Sequence, residues 1–160
     1  ADSDAWRGTH EVEWVSGCAI LLRLSALSEA GFFDEAFFAY HEEVELCVRL
    51  RKAGLRVVWT GEARIRHRGE GSSGRTYVSR KQYFSGRNMV RFVARHGSVG
   101  QKFYFGSFFL LSLPFQWLRR LPSGEAAGVI LKWQGARDQL LGRPLPRAAL
   151  GLDHPPGAAR

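Results

Sequence analysis

The sequence is poor in cysteine, with only Cys18 and Cys47 among its 160 residues. Neither belongs to a CxxC pair, so the sequence predicts neither a zinc site nor a disulfide framework and favours a reducing compartment. The start of the chain lacks a secretory signal. It also lacks an initiator methionine, and we therefore expect a fragment or a processed piece.

Long apolar runs are also missing. The longest uncharged stretch covers 16 residues, 103–118, which is shorter than the roughly 20 residues that span a bilayer. It holds seven aromatic side chains and Pro114, and Arg119 and Arg120 follow it. This pattern predicts an interfacial or re-entrant element at a membrane surface. A buried helix that packs on a partner domain is the alternative.

Acidic side chains are scarce in the middle of the chain. Residues 64–102 hold 10 basic side chains and one acidic, whereas residues 1–63 hold 6 basic and 11 acidic. A basic segment suits phosphate groups, nucleic acid or an anionic membrane. We do not expect nucleic acid as a partner, because no recognised binding module is present and the aromatic residues cluster away from the arginines.

Arginines form a stripe on a predicted helix over residues 76–96. They recur at seven- and four-residue spacings, which places them on one helix face. The first two, Arg80 and Arg87, are candidates for binding a diphosphate. A solvated helix face is the alternative interpretation of the stripe. Its members are Arg80, Arg87, Arg91 and Arg95.

Three carboxylates stand at the start of another predicted helix, which ends at Gly54. Glu42, Glu43 and Glu45 follow an aromatic segment, residues 32–38. Acidic residues in a first turn complement the helix dipole by typically 0.3–1 kcal/mol each, which is a sufficient structural explanation. Carboxylates aimed from a helix start into an aromatic cleft also provide a general base.

Two predicted strands flank this helix. The first covers residues 12–22, and Ser16-Gly17 interrupts it with a bulge or a close contact to a ligand. The second covers residues 62–68, and its alternation places His67 on the inward face. An inward histidine is often a satisfied core residue. The Gly/Ser loop over 69–75 can wrap an anion, so a ligand site is the alternative.

Taken in order, these motifs resemble the second half of the catalytic domain of a family-2 glycosyltransferase of the bacterial rhamnosyltransferase-like kind. The resemblance covers roughly residues 10–97. The matching residues are Trp14-Val15-Ser16-Gly17-Cys18-Ala19, the run 31–40, Glu42-Glu43-Val44-Glu45-Leu46 with Arg49, Ala53-Gly54, His67 and Arg87-Asn88.

The resemblance implies an α/β GT-A fold, a nucleotide-diphospho-sugar donor, inversion at the anomeric carbon and a divalent metal, Mg or Mn. By position, Glu43 matches the general base and Glu42 the acid before it. This chain has glutamate at both positions where the family has aspartate, Glu43 and Glu45. His67 matches a histidine that approaches the metal or the donor diphosphate. Trp14, Ser16 and Gly17, with Glu42, are expected to shape the sugar pocket.

The resemblance also divides the chain. Residues 1–97 are expected to be the acceptor and catalytic-base part of a GT-A domain, residues 98–142 a membrane-associating helical region, and residues 143–160 a disordered tail. In the family, the nucleotide-binding half lies well upstream of the acidic helix. Because only some 40 residues precede Glu42, the chain is expected to be a C-terminal piece that is inactive alone.

The expected function is therefore inverting transfer of a sugar to a lipid-linked or cell-envelope glycan. The expected location is peripheral, on the cytoplasmic face of a membrane. A non-catalytic membrane-surface or interaction module is the alternative, because the basic, aromatic C-terminal third predicts contact with a lipid surface.

Overall fold

The computed structural model describes residues 7–67 and 79–150. The chain divides into two compact units, residues 1–69 and residues 70–160. Each unit has its own packing and is described by itself.

The first unit combines two short strands with two helices. Strands β1 and β2 pair antiparallel, with Thr9 opposite Thr60. A core of buried apolar side chains joins helices α1 and α2: Leu27, Leu46, Cys47, Leu50 and Val57. The elements are β1 (Thr9–Glu11), α1 (Leu24–Ala30), a 3₁₀ turn (Glu35–Phe37), α2 (Glu42–Lys52) and β2 (Val58–Thr60).

The bounds of α2 confirm the sequence prediction for this helix. Three acidic residues occupy its first turn and three basic residues its last turn, an arrangement that complements the helix dipole at both ends. Gly54 follows with a φ of 79°, a left-handed conformation that glycine adopts without steric cost. The first unit also contains both helices and strands, as the predicted α/β class requires.

Two predicted strands are wrong within the described residues. Residues 12–22 are irregular, although the amide of Val12 still donates to the carbonyl of Val57 at 2.9 Å. Residues 61–67 are also irregular, and His67 is exposed rather than inward. Strand formation depends on contacts with a neighbouring strand. In the described sheet β2 pairs with β1, so the alternating segment that follows β2 has no strand beside it.

The second unit is helical in its described part. Its helices are α3 (Arg80–His96), α4 (Val99–Arg120), α5 (Ala126–Leu140) and α6 (Arg147–Leu150). Helices α3 and α5 approach so closely that a Cβ at Gly86 would overlap the carbonyl oxygen of Lys132. A Cβ at Gly135 would likewise overlap the carbonyl oxygen of Tyr83. Glycine at both positions is therefore what permits this packing.

Helix α4 exposes most of its aromatic side chains. Its start is fixed by a capping box, in which Ser98 and Gln101 exchange hydrogen bonds between side chain and backbone, satisfying two amides at the helix start. Phe109 is buried, whereas Phe103 is 78% exposed and Phe115 is 67% exposed. None of the helices in the described ranges has the length and apolarity to cross a bilayer.

The predicted division at residue 97 stays a prediction. Helix α3 lies in the second unit, which begins at residue 70. Within the segment predicted as a disordered tail, the carbonyl oxygen of Arg143 accepts a hydrogen bond from Arg87 at 3.0 Å. Residues 151–160 lie outside the described residues.

Candidate active site

A cleft of about 610 Å³ opens at the start of α2. It is formed by the irregular segment after β1, the 3₁₀ turn with its flanking residues, and the first two residues of α2. Its lining combines apolar and acidic side chains: Gly17, Ile20, Phe33, Asp34, Glu35, Phe38, Glu42 and Glu43. The cleft is therefore an acidic pocket with aromatic walls.

Two of its carboxylates have an oxygen with no protein partner. The Oε2 atoms of Glu42 and Glu43 are buried and lack a hydrogen-bond partner among the described residues. A buried polar atom without a partner is costly, and its presence is explained by an ordered water, an ion or a catalytic role. Both residues line the cleft.

Gly17 packs against the side chain of Glu43. A Cβ placed on Gly17 would lie 3.5 Å from Cβ of Glu43 and 3.8 Å from Cδ. The close approach leaves room for a methyl group but for little more. The bend at Ser16-Gly17 thus positions backbone beside the carboxylate rather than forming a strand bulge.

The backbone before the two carboxylates is strained. Three non-glycine residues, Phe38, Tyr40 and His41, have positive φ values of 56°, 66° and 71°. Such residues are uncommon, cost about 1–3 kcal/mol each and cluster at functional sites. The strained segment immediately precedes Glu42 and Glu43, the two residues of α2 that line the cleft.

Glu45 has a structural role. Its side chain is fully buried, and Nε of Arg49 donates to both of its carboxylate oxygens. The guanidinium of Arg49 also donates to the carbonyl oxygens of Ala30, Gly31 and Phe32. The pair therefore ties α2 to the segment that leads to Phe33 and Asp34 in the cleft wall.

Burial shifts two titratable groups at the helix start. Burial raises the pKa of Glu42, and the charge of Glu43 adds to the increase. Burial also lowers the pKa of His41, against the opposing attraction of Glu43. The helix start thus combines a carboxyl group that resists ionisation with an imidazole that resists protonation.

The structure brings together three of the predicted site residues, Gly17, Glu42 and Glu43. Trp14 and Ser16 are exposed and do not line the cleft. The exposed His67 is the last residue of its described range, and the Gly/Ser loop predicted to follow it lies outside the described residues. The roles predicted for these residues stay predictions.

The two predicted diphosphate-binding arginines lie in the second unit. Arg80 begins α3 and is partly exposed. Arg87 is 7% exposed and its Nη2 donates to the carbonyl of Arg143. Close by in sequence, the hydroxyl of Tyr83 donates to Asp138 at 3.1 Å. Arg87 therefore has a packing role within this unit, and its role toward a diphosphate stays a prediction.

The described residues do not form a metal centre. No group of three or more histidine, cysteine, aspartate or glutamate side chains in residues 7–67 and 79–150 is arranged to hold a metal ion. The expected Mg or Mn therefore stays a prediction.

Sequence reasoning missed part of the cleft wall and His41. The aromatic segment was identified as a lead-in, but Phe33, Asp34 and Phe38 were not assigned to the site. Asp34 accepts a hydrogen bond from the amide of Ala36 at 3.0 Å, which is a typical helix-capping contact. His41 directly precedes the paired acids Glu42 and Glu43, and this position in the sequence was the signal that could have identified it.

Comparisons with known proteins identify the family of the chain. The sequence pattern of the family described as "Glycosyl transferase family group 2" matches residues 5–133. No solved structure matches the chain significantly.

Two curated relatives are rhamnosyltransferases by name. N-acetylglucosaminyl-diphospho-decaprenol L-rhamnosyltransferase of Mycobacterium tuberculosis is 44% identical over 68 residues, 42% of this chain and 22% of that protein. Rhamnosyltransferase WbbL of Escherichia coli K12 is 39% identical over 46 residues, 29% of this chain and 17% of that protein. The aligned part spans about a fifth of these relatives. The family match, which covers most of the chain, shows that the protein belongs to glycosyl transferase family group 2.

Proposed function

We propose that the chain is the catalytic-base part of an inverting glycosyltransferase with a GT-A fold. The donor is a nucleotide-diphospho-sugar, and the acceptor is a lipid-linked or cell-envelope glycan. The observation that carries the proposal is the buried, partnerless Oε2 of Glu43, held against Gly17 in an open cleft.

Glu43 acts as the general base. Its carboxylate accepts the proton of an acceptor hydroxyl while that oxygen attacks the anomeric carbon of the donor sugar. A new carbon–oxygen bond forms as the bond to the nucleoside diphosphate breaks, and the diphosphate leaves with the electron pair. Attack from the face opposite the leaving group inverts the anomeric configuration.

Glu42 and the aromatic wall hold the acceptor. The partnerless oxygen of Glu42 accepts a hydrogen bond from a sugar hydroxyl, and burial keeps this carboxyl easier to protonate than an ordinary glutamate. The half-exposed rings of Phe33 and Phe38 present apolar faces to the sugar ring. Gly17 packs directly against the side chain of the base, while Trp14 and Ser16 extend the pocket on its exposed side.

The donor side of the reaction is proposed from the family alone. A nucleotide-binding part, with Mg or Mn, would hold the leaving diphosphate, and His67, Arg80 and Arg87 are its candidate contacts in this chain. The chain alone is expected to be inactive for this reason. The short alignment with much longer relatives supports a partial domain.

The membrane location is also a proposal. The name of the mycobacterial relative includes a decaprenol-linked acceptor, which supports a lipid-linked acceptor for this chain. Exposed aromatic residues on α4, followed by Arg119 and Arg120, favour peripheral contact with the cytoplasmic face of a bilayer.

Substitution of Glu43 tests the proposal. In the full-length gene product, Glu43→Gln should lower kcat for sugar transfer by about 10²–10⁴-fold, the usual contribution of a general base. Binding of the sugar nucleotide should persist. Glu13→Gln, an exposed acid outside the cleft, is the control and should retain full activity. Parental turnover in Glu43→Gln would exclude Glu43 as the base.

A second candidate function is a non-catalytic membrane-surface module, favoured by the exposed aromatic face of α4. Sedimentation with anionic vesicles, combined with titration of sugar nucleotide, separates the two functions. If the full-length gene product binds vesicles but neither binds nor turns over any sugar nucleotide, the module function is correct.

A further inference from the structure

Two apolar cavities lie end to end on the helical unit. The first, about 400 Å³, lies between α3, α4 and α5, and the second, about 370 Å³, lies between α4 and α5. Both are lined by Leu110 and Trp133, so they share a wall and form one groove along α4. We call the two cavities together the α4 groove.

We propose that the α4 groove binds the hydrocarbon chain of a single lipid phosphate of the polyprenyl type. The proposal rests on the lipid-linked acceptor of the proposed function and assigns that lipid a binding site. It differs from adsorption of the α4 surface on a bilayer, because one chain is held inside the groove between helices.

The lining selects a hydrocarbon over a peptide or a sugar. Its walls are made of aliphatic and aromatic side chains, such as Val90, Phe109 and Leu113. A peptide or sugar would leave its polar groups without hydrogen-bond partners there, which is unfavourable. A hydrocarbon chain has no such groups, and each methylene that leaves water raises the affinity about fourfold.

The charge at the groove matches an anionic head group. Lys102 lines the first cavity, is exposed, and stands in the first turns of α4. Neither cavity is lined by an aspartate or a glutamate. A phosphate at Lys102 would form a charge-assisted contact, while the chain extends from there past Leu110 toward Pro114 and Trp117.

Gly106 keeps the first cavity open. It lines this cavity, and a Cβ placed on it would meet no atom within 4 Å. A larger side chain at this position therefore fills the groove without striking the protein. Gly100 lies on the same helix, is equally unobstructed, and does not line either cavity. The two glycines form a matched pair for mutagenesis.

The test measures binding of monomeric geranylgeranyl diphosphate, kept below its micellar concentration, to the 160-residue chain by calorimetry. Gly106→Leu should weaken binding at least tenfold, whereas Gly100→Leu should bind as the unchanged chain does. Both changes replace glycine by a better helix former, so helical content should be preserved. Equal affinity of the two variants would overturn the proposal.

A second variant fills the same cavity from the opposite wall. Ala94 on α3 is exposed and lines the first cavity, so Ala94→Leu should also weaken binding. Lys102→Gln should weaken the binding of geranylgeranyl diphosphate but not the binding of the uncharged geranylgeraniol. If inorganic diphosphate bound as tightly as geranylgeranyl diphosphate, the head group and not the groove would carry the affinity, and the proposal would be contradicted.

The outcome is independent of catalysis. Glu43→Gln should bind geranylgeranyl diphosphate normally, so loss of transferase activity and loss of lipid binding are separable results. A groove that instead receives a second copy of the chain would give a dimer that Gly106→Leu dissociates, with no lipid affinity in either form, and this result would also overturn the proposal.

Discussion

Arg49 and Glu45 form a bifurcated hydrogen bond along one face of α2, in which Nε of Arg49 donates to both carboxylate oxygens at 3.0 and 2.8 Å. The remaining nitrogens of Arg49 donate to three successive carbonyls at the end of α1 and beyond. One side chain thus joins the buried acid to the chain reversal at Gly31. A φ of 80° at that residue requires glycine there.

Removal of Arg49 should be strongly destabilising. Arg49→Met removes the guanidinium that pairs with the fully buried carboxylate of Glu45, and breaking such a buried pair typically lowers the free energy of unfolding by about 3–5 kcal/mol. Urea unfolding followed by circular dichroism measures the change. Arg51→Met is the matched control, because Arg51 contacts the exposed Glu13 at 3.9 Å and such pairs contribute about 0–1 kcal/mol. Equal losses in the two variants would contradict the assignment.

A double substitution separates lost charge pairing from lost packing. Glu45→Leu combined with Arg49→Met removes both charges and should recover part of the stability lost in Arg49→Met. If the double variant is less stable than Arg49→Met, the buried charge is not the source of the loss.

Enlargement of Gly17 should block the cleft without unfolding the protein. Gly17→Val places two methyl groups against the side chain of Glu43, where the room suffices for one. In the full-length gene product, we expect sugar transfer to fall at least tenfold while the urea midpoint stays close to the parental value. Ala19→Val, an exposed position outside the lining, should keep its activity. Full activity in Gly17→Val would argue against a substrate in this cleft.

Alanine at the α3–α5 contact should destabilise the helical unit. Gly86→Ala and Gly135→Ala each add a methyl group that overlaps a backbone carbonyl of the other helix. Such overpacking costs about 1–3 kcal/mol, which we expect in the free energy of unfolding from urea titration.

The matched control for these two changes should raise the free energy of unfolding instead of lowering it. Gly106→Ala, inside α4 with no atom within 4 Å of the added Cβ, should stabilise the chain by about 0.5–1 kcal/mol through helix propensity. A gain of stability in Gly86→Ala would show that the close helix contact is absent in solution.

His41 should make the protein less stable in mild acid. Its pKa is lowered by burial in the folded state, so the unfolded chain takes up a proton first as the pH falls below about 6.5. The stabilising contribution is present above that pH and is lost as the pH falls toward the folded pKa. Asparagine also tolerates the left-handed backbone at this position.

His41→Asn should therefore unfold with a weaker pH dependence between pH 7 and pH 5 than the unchanged chain. The free energy of unfolding, measured by urea titration at each pH, gives the two slopes. Glu42, whose pKa is raised by burial, loses its contribution as the pH rises, and it is present in both proteins. Parallel slopes would exclude His41 as the source.

The sequence was sufficient where local preferences agree with the packing. The acids and bases at the two ends of α2, and Gly54 after it, predict the helix that the structure contains, because dipole and left-handed preferences act within a few residues. The ordered motifs also predicted the family that the comparisons show. Glu42 and Glu43 were identified as site candidates for the same reason, since their position in a first turn is a local property.

The strands could not be predicted from the local sequence pattern alone. Residues 12–22 are rich in apolar side chains and residues 62–67 alternate, yet a strand forms only where a neighbour supplies hydrogen bonds and side-chain contacts. In the first unit, β1 pairs with β2. The inward direction predicted for His67 was wrong for the same reason.

The sequence by itself determined the family and the acidic helix, because both depend on residue types at short spacings, whereas Glu43 was matched to the general base through the resemblance. Only the tertiary structure decided which side chains share the cleft, since Gly17, Phe33 and Glu43 are brought together by long-range packing. It also decided that Glu45 is held by Arg49, while Glu42 and Glu43 each keep a buried oxygen without a partner in the described part of the chain. Burial and pairing are properties of contacts between distant segments, and no short sequence pattern specifies them.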